Sequence, residues 1–204
     1  MDNRSGGDVM ETRALTQLLV ILVAYLLGSL PTALVYSRRR GKDIRVLGDG
    51  NMGAANTKRQ FGFRAGLLVG LADIAKGLAA VLLAVALELP LEWRLVAGGA
   101  AILGHDFPVW AGFKGGQGLA TTAGVCMGLQ PLPALIGFAI YGLVYLLTRS
   151  ADIGAGLGAG QLALHAWLKG EPLIVVGFIV AALLFIPVKK WLDRPRREAI
   201  KIHG

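Results

Sequence analysis

The sequence predicts an all-α protein: a polytopic membrane helix bundle of about seven transmembrane helices, with the N-terminus outside and the C-terminus cytoplasmic. Three observations predict it. Of 204 residues, 54% are apolar and only 17% are charged, and the mean hydropathy is +0.59, too apolar for an ordinary soluble domain. Long apolar stretches recur at 14–37, 65–87, 94–111, 118–130, 132–148, 153–168 and 172–188, several of them near the ~20 residues that cross a bilayer. The cations are also unevenly placed. With seven spans, one face collects the 38–64, 112–117 and 149–152 loops and the tail from 189, which carry eight, one, one and six Lys/Arg, sixteen in all, against four on the other face. Such asymmetry puts the richer face in the cytoplasm.

Met1 to Arg13 is polar and carries both signs of charge. The apolar run after it is longer than a signal-peptide core, has no basic region in front and lacks a clear cleavage site, so it reads as the first span. Ser29 and Pro31 within it read as a kink or packing site. The longest inter-span segment, 38–64, is too short for a soluble domain, so residues 1–204 form a single integral-membrane domain with a polar N-terminal segment (1–13) and a basic cytoplasmic tail (189–204). In the second span, Asp73 and Lys76 are spaced i, i+3 and can pair on one face. Alone, each charge costs ~2.5–3.5 kcal/mol at the bilayer centre, and the pair suits a functional role and structural glue equally. The third span ends at His105-Asp106, and Pro108 breaks the helix. A lone interfacial histidine is more often structural than catalytic. The fourth, sixth and seventh stretches are short. Cys126, the one cysteine, excludes an internal disulfide and reads as a packing residue. His165 and His203 fall on the opposite face and in the tail, away from His105, so neither a metal site nor a cofactor is expected.

Chemistry must then be built from helix ends and short loops at the cytoplasmic interface, and two glycine-rich loops stand out there. The first is Gly48-Asp49-Gly50-Asn51-Met52-Gly53-Ala54-Ala55-Asn56, with Arg45 before it and Lys58 and Arg59 after it; the second is Phe113-Lys114-Gly115-Gly116-Gln117-Gly118. Glycines let backbone N–H groups converge on an anion, and flanking cations supply charge. Gly48 to Gly53 matches G-x-G-x-x-G, but no strand precedes it and no βαβ unit surrounds it, so a dinucleotide fold is excluded. No G-x-x-x-x-G-K-[ST] occurs, which excludes a nucleotide P-loop. What remains is a phosphate site at helix N-termini, expected to use Arg45, Gly48, Gly50, Asn51, Gly53 and Asn56 from the first loop and Lys114, Gly115, Gly116 and Gly118 from the second. Flexible turns and tight helix packing are the plain alternatives. Arg38, Arg39, Arg40, Lys42 and the 189–201 cations read as topology determinants that attract anionic lipid at ~1 kcal/mol each. Nucleic-acid binding is not expected, since no soluble domain presents these charges.

These residues together resemble the bacterial integral-membrane acyl-phosphate:glycerol-3-phosphate acyltransferases, the PlsY family. Gly28-Ser29-Leu30-Pro31, Asp43-Ile44-Arg45 and Gly48-x-Gly50-Asn51-x-Gly53-Ala54-x-Asn56 are similar to its first motif. Leu103-Gly104-His105, Pro108-Val109 and Phe113-Lys114-Gly115-Gly116-x-Gly118-x-Ala120-Thr121 are similar to its second, and Asp73 with Lys76-Gly77 also matches. The chain departs from the pattern at Asp49, where the family has serine, at Ala55 for threonine and at Gln117 for lysine. Ala151 and Asp152 stand near the family's paired serines, and Pro187 to Lys190 replaces its late H-x-x-N-I.

The resemblance implies a membrane acyltransferase of phospholipid synthesis, which moves a fatty acyl group from acyl phosphate to glycerol-3-phosphate and gives lysophosphatidic acid. Asp49, Arg59 and His105 are the catalytic candidates, with Arg59 matching the family's arginine. An acyl phosphate is already activated, so the protein has to align two phosphates and stabilise developing charge. Asp49 can act as a base toward the acceptor or repel a phosphorylated one. A divergent member with another acceptor, and a catalytically silent lipid-phosphate binder, are the alternatives. An organic-anion transporter is disfavoured, because transporters place their sites near the bilayer midplane.

Overall fold

A computed structural model describes residues 4–203, and every regular element among them is helical. The first apolar stretch forms α1 (Arg4–Gly28) and α2 (Thr32–Arg38), and α3 (Ala54–Phe61) lies in the long polar loop. The other six stretches become α4 (Phe63–Ala86), α5 (Leu91–Asp106), α6 (Leu119–Leu129), α7 (Pro131–Thr148), α8 (Ala151–Leu168) and α9 (Leu173–Leu192). The tail adds α10 (Arg194–His203). Because α1 begins at Arg4, the polar N-terminal segment continues into the first helix rather than standing apart from it. Met1 to Asn3 lie outside the described residues.

Four spans among the described residues are long and apolar enough to cross a membrane: Glu11–Arg38, Phe63–Ala86, Pro131–Thr148 and Leu173–Leu192. The fourth stretch is different. Helix α6 has 11 residues, which rise only about 16 Å against a hydrocarbon core of ~30 Å. It buries Thr121, Thr122, Gly124, Val125 and Cys126 against its neighbours, so protein rather than lipid surrounds most of it, a setting in which a short helix is tolerated.

The helices pack through small residues. The most extensive contacts are α4 with α6, α7 with α8, and α1 with α5, and each pair is joined by reciprocal glycines. A Cβ at Gly28 would collide with the Ala101 carbonyl, and one at Gly104 with the Tyr25 carbonyl. Gly77 meets the Thr121 carbonyl while Gly124 meets that of Ile74, and Gly137 and Gly158 face each other's carbonyls. Lipid tails are as apolar as leucine, so burying leucine gains little in a membrane; close backbone approach and dispersion hold the helices instead. One core cluster accordingly contains Ala24, Ala80, Ala84, Ala97, Ala100 and Ala101, whereas Leu18, Leu22, Leu68, Leu71, Leu147 and Leu184 point outward.

Candidate functional site

Three chain breaks meet at one end of the bundle. The first is the interruption between α1 and α2. Pro31 has no N–H to donate and fixes its own φ, and the Leu30 carbonyl at this break accepts from the Thr32 N–H at 3.0 Å and from Lys76 Nζ at 3.2 Å. The second is the loop between α2 and α3, and the third the loop between α5 and α6. Leu30, Pro31, Thr32, Met52, Asp73, Lys76, His105, Pro108 and Gly116 line a common cavity of about 10 Å³, the size of one water. Both glycine-rich loops therefore reach the same hollow.

The floor of this cavity is an ionic cluster. Lys76 Nζ lies 3.0 Å from Asp73 Oδ1, and His105 Nδ1 lies 3.5 Å from the same oxygen. Asp73 is 2% exposed and His105 5%. The i, i+3 pair anticipated in the second span thus forms, with a histidine from a neighbouring helix added. His105 Nδ1 faces the carboxylate, and its Nε2 faces Gly116, where a Cβ would strike the ring.

The first loop is held by its own side chains. Asn56 donates through Nδ2 to the carbonyls of Leu47 and Asn51 at 2.9 and 3.0 Å, and Thr57 Oγ1 donates to the Gly53 carbonyl. Asn51 Oδ1 accepts from the Gly53 N–H at 2.9 Å, and Asp49 Oδ1 accepts from the Asn51 N–H at 3.2 Å. Gly48 and Gly50 have φ of 60° and 66°, the left-handed region where a side chain is strained. Arg45 turns to Asp43, donating through Nε and Nη2 at 3.0 and 2.6 Å. That guanidinium holds the Asp43 carboxyl below the usual carboxylate range.

The second loop is held by backbone. The Gly115 N–H donates to the Asp106 carbonyl and the Gly116 N–H to that of His105, at 3.2 and 3.1 Å. Gly118 (φ 71°) caps α6 and leaves room for the Asp106 carboxylate. Lys114 is exposed at the loop tip.

Several of the amides expected to face an anion bond within the loops. The Gly50 N–H is taken by the Leu47 carbonyl, and those of Asn51, Gly53, Gly115 and Gly116 are engaged as above. Both donors of Asn56 are used inside the loop. Arg59 and Asp49 pair at 2.7 Å, so the Asp49 carboxylate faces a guanidinium from α3.

The basic tail was expected to serve topology and lipid attraction, but α10 folds back over both loops. Arg197 Nη2 lies 3.9 Å from Asp49 Oδ2, Arg196 Nη2 lies 3.5 Å from the Gly115 carbonyl, and Ile200 covers Gly50. Asp193 anchors the turn before α10, accepting from Lys189 at 2.5 Å and pairing with Arg196 at 3.4 Å. Residues 193, 196, 197 and 200 follow the i, i+3, i+4, i+7 spacing of one helix face; that pattern was the available signal for these contacts.

Comparison with known proteins bears on the family and the fold. A family model described as glycerol-3-phosphate acyltransferase matches residues 18–197. A glycerol-3-phosphate acyltransferase of Geotalea daltonii is 38% identical over 89% of this chain and 94% of its own. Glycerol-3-phosphate acyltransferase 1 of Deinococcus radiodurans is 44% identical over 81% of this chain and 87% of its own. Crystal structures of PlsY, an integral membrane glycerol 3-phosphate acyltransferase, superpose with TM-scores of 0.81 for the glycerol 3-phosphate form and 0.78 for the lysophosphatidic acid form. Each is 31% identical to this chain and covers 89% of it and 91% of the solved chain.

Proposed function

The chain belongs to the glycerol-3-phosphate acyltransferase family and is a membrane acyltransferase that acylates glycerol-3-phosphate in phospholipid synthesis; we propose that acyl phosphate is its donor and that the cavity beneath the two loops is where transfer occurs. The observation that carries this reading is the shared hollow, lined from the first loop by Met52, from the second by Gly116 and from below by Asp73, Lys76 and His105.

The acceptor hydroxyl oxygen attacks the acyl carbonyl carbon, the bond from that carbon to the phosphate oxygen breaks, and phosphate leaves with the electron pair. The hydroxyl proton passes to His105 Nε2, while Asp73 faces Nδ1 and supports the imidazolium that forms. Arg59 stabilises the charge developing on phosphate. Arg45 and Lys114 form the outer rim of the phosphate site, and Gly48, Gly50, Gly53, Gly115, Gly116 and Gly118 shape its walls, with Asn51 and Asn56 holding the first loop. Asp49 balances Arg59 instead of repelling the acceptor. The acyl chain stays among the helices, where each buried CH₂ contributes ~0.8 kcal/mol.

We also read all seven apolar stretches as membrane-embedded, with the N-terminus outside and both loops and the C-terminus at the cytoplasmic side of a bacterial inner membrane. The sixteen-to-four cation bias supports this, as does the packing of α10 on the loops. Cysteine labelling of residue 204 from the periplasmic side would argue against it. The direct test gives purified protein palmitoyl phosphate and glycerol-3-phosphate. Lysophosphatidic acid and inorganic phosphate are expected in equal amounts. Donor consumed only with another alcohol would replace the acceptor, and no turnover with acyl phosphate would replace the donor.

A further inference from the structure

Resting on the acyl-transfer reading, we propose that α10 is part of the active site and that Arg196 binds a substrate phosphate between the two loops, with Arg197 offsetting Asp49 beside it. Arg196 is mostly buried, and its Nε and Nη1 are enclosed without a hydrogen-bond partner. Its Nη2 alone is engaged, at Asp193 and the Gly115 carbonyl. A guanidinium cannot shed its proton, and a buried charge with unsatisfied donors is costly unless an acceptor completes it. A phosphate supplies three acceptor oxygens and forms charge-assisted bonds with guanidinium.

The charge balance points the same way. Where α10 crosses the loops, Lys189 and Arg196 share the single carboxylate of Asp193, and Arg59 and Arg197 share that of Asp49. Among these groups four cations face two carboxylates, an excess of positive charge that favours an anion. Gly115, which meets Arg196, adjoins the cavity-lining Gly116. With the amides of Gly50, Asn51, Gly53, Gly115 and Gly116 engaged internally, these side chains add donors beside the loops. Both substrates carry the required group, so the test has to tell the phosphate of glycerol-3-phosphate from that of the acyl donor.

Arg196→Gln, Arg196→Lys and a control, Arg194→Gln on the exposed side of α10, would be compared with the unaltered protein. KM and kcat would be measured with each substrate varied in turn, with glycerol-3-phosphate binding followed by calorimetry and folding by thermal unfolding in detergent. Arg196→Gln is expected to raise KM for one phosphate substrate roughly 10- to 100-fold, the range for losing hydrogen bonds to a charged group, with a smaller change for the other. Arg196→Lys, which keeps the charge but not the fork, is expected to recover part of the loss, and Arg194→Gln to change nothing. A rise confined to glycerol-3-phosphate, with weaker calorimetric binding, assigns the acceptor phosphate; a rise confined to palmitoyl phosphate assigns the donor. Unchanged KM for both substrates in folded Arg196→Gln overturns the proposal. If that variant does not fold, wild-type KM values in Arg196→Gln's companion Arg196→Lys overturn it equally. Failure of the unaltered protein to make lysophosphatidic acid, with glycerol-3-phosphate binding still dependent on Arg196, would overturn the acyl-transfer reading alone.

Discussion

Glycine serves different physical ends in the two loops. Gly48 and Gly50 sit between α2 and α3 at φ of 60° and 66°, and asparagine side chains tie the loop's carbonyls and amides together. Gly115 and Gly116 lie between α5 and α6 because their Cα atoms press against His105 and the Asp106 carbonyl, where no side chain fits. Gly48 and Gly50 answer to backbone conformation, and a Cβ there would also strike Asn56 and Ile200, whereas Gly115 and Gly116 answer to contact alone and let a backbone approach a buried imidazole. A motif rich in glycine therefore does not by itself denote a nest of amides around an anion.

The comparison can be broken or sharpened by substitution. The largest effect is expected from Arg59→Ala, which removes the cation of the first loop: turnover should fall by roughly 100- to 1000-fold, as for loss of one preorganised electrostatic donor. Full activity in this variant would take Arg59 out of the site. Gly116→Ala should come next. Its methyl group displaces the His105 ring, and a shift of about 1 Å costs roughly 100-fold in rate, with folding retained by thermal unfolding. A stable, fully active Gly116→Ala protein would show that the second loop is not sterically matched to His105.

Asn56→Ala should act on stability. It removes the side-chain donor to the buried Asn51 carbonyl, at about 1–3 kcal/mol, while the Leu47 carbonyl keeps its bond from the Gly50 N–H; the loss is seen as a lowered unfolding midpoint in detergent. The smallest effects belong outside the close contacts. Gly112 has φ of 65° but open space around its Cα, so Gly112→Ala should lose only about 1 kcal/mol of stability and keep its turnover. A large loss of activity there would mean that backbone conformation, not contact, governs the second loop too.

Much of the helix order was legible because hydropathy and helix length obey the same constraint: each apolar stretch became a helix, and Pro31 and Pro108 marked breaks that remove hydrogen bonds. The length of α6 was less legible, since its apolar composition records burial without saying whether lipid or protein surrounds it. Asp73 and Lys76 were legible as a pair because i, i+3 neighbours share a helix face. His105, on another helix, was not legible as their partner. The internal use of Asn51 and Asn56 was hidden as well, because an amide side chain that can bind an anion can equally accept from a backbone N–H two residues on, as Asn51 does, or donate to carbonyls five and nine residues away, as Asn56 does. The face formed by Asp193, Arg196, Arg197 and Ile200 was written in the spacing of the tail and hidden by its charge, which equally suits a lipid surface.

By itself the sequence determined the membrane setting, the helical order, the loops that carry polar chemistry and, through long motifs, the family, all properties of local composition and spacing. Which groups meet was settled by the packing of the helices: that His105 joins Asp73 and Lys76 over a shared hollow, that the amides of Gly50, Gly53, Gly115 and Gly116 are engaged internally, and that α10 returns two arginines to the loops. The reason is physical. Helix formation and bilayer insertion are settled within a few turns of chain, whereas the partner of a charge is settled by which distant helices the glycine contacts allow to approach.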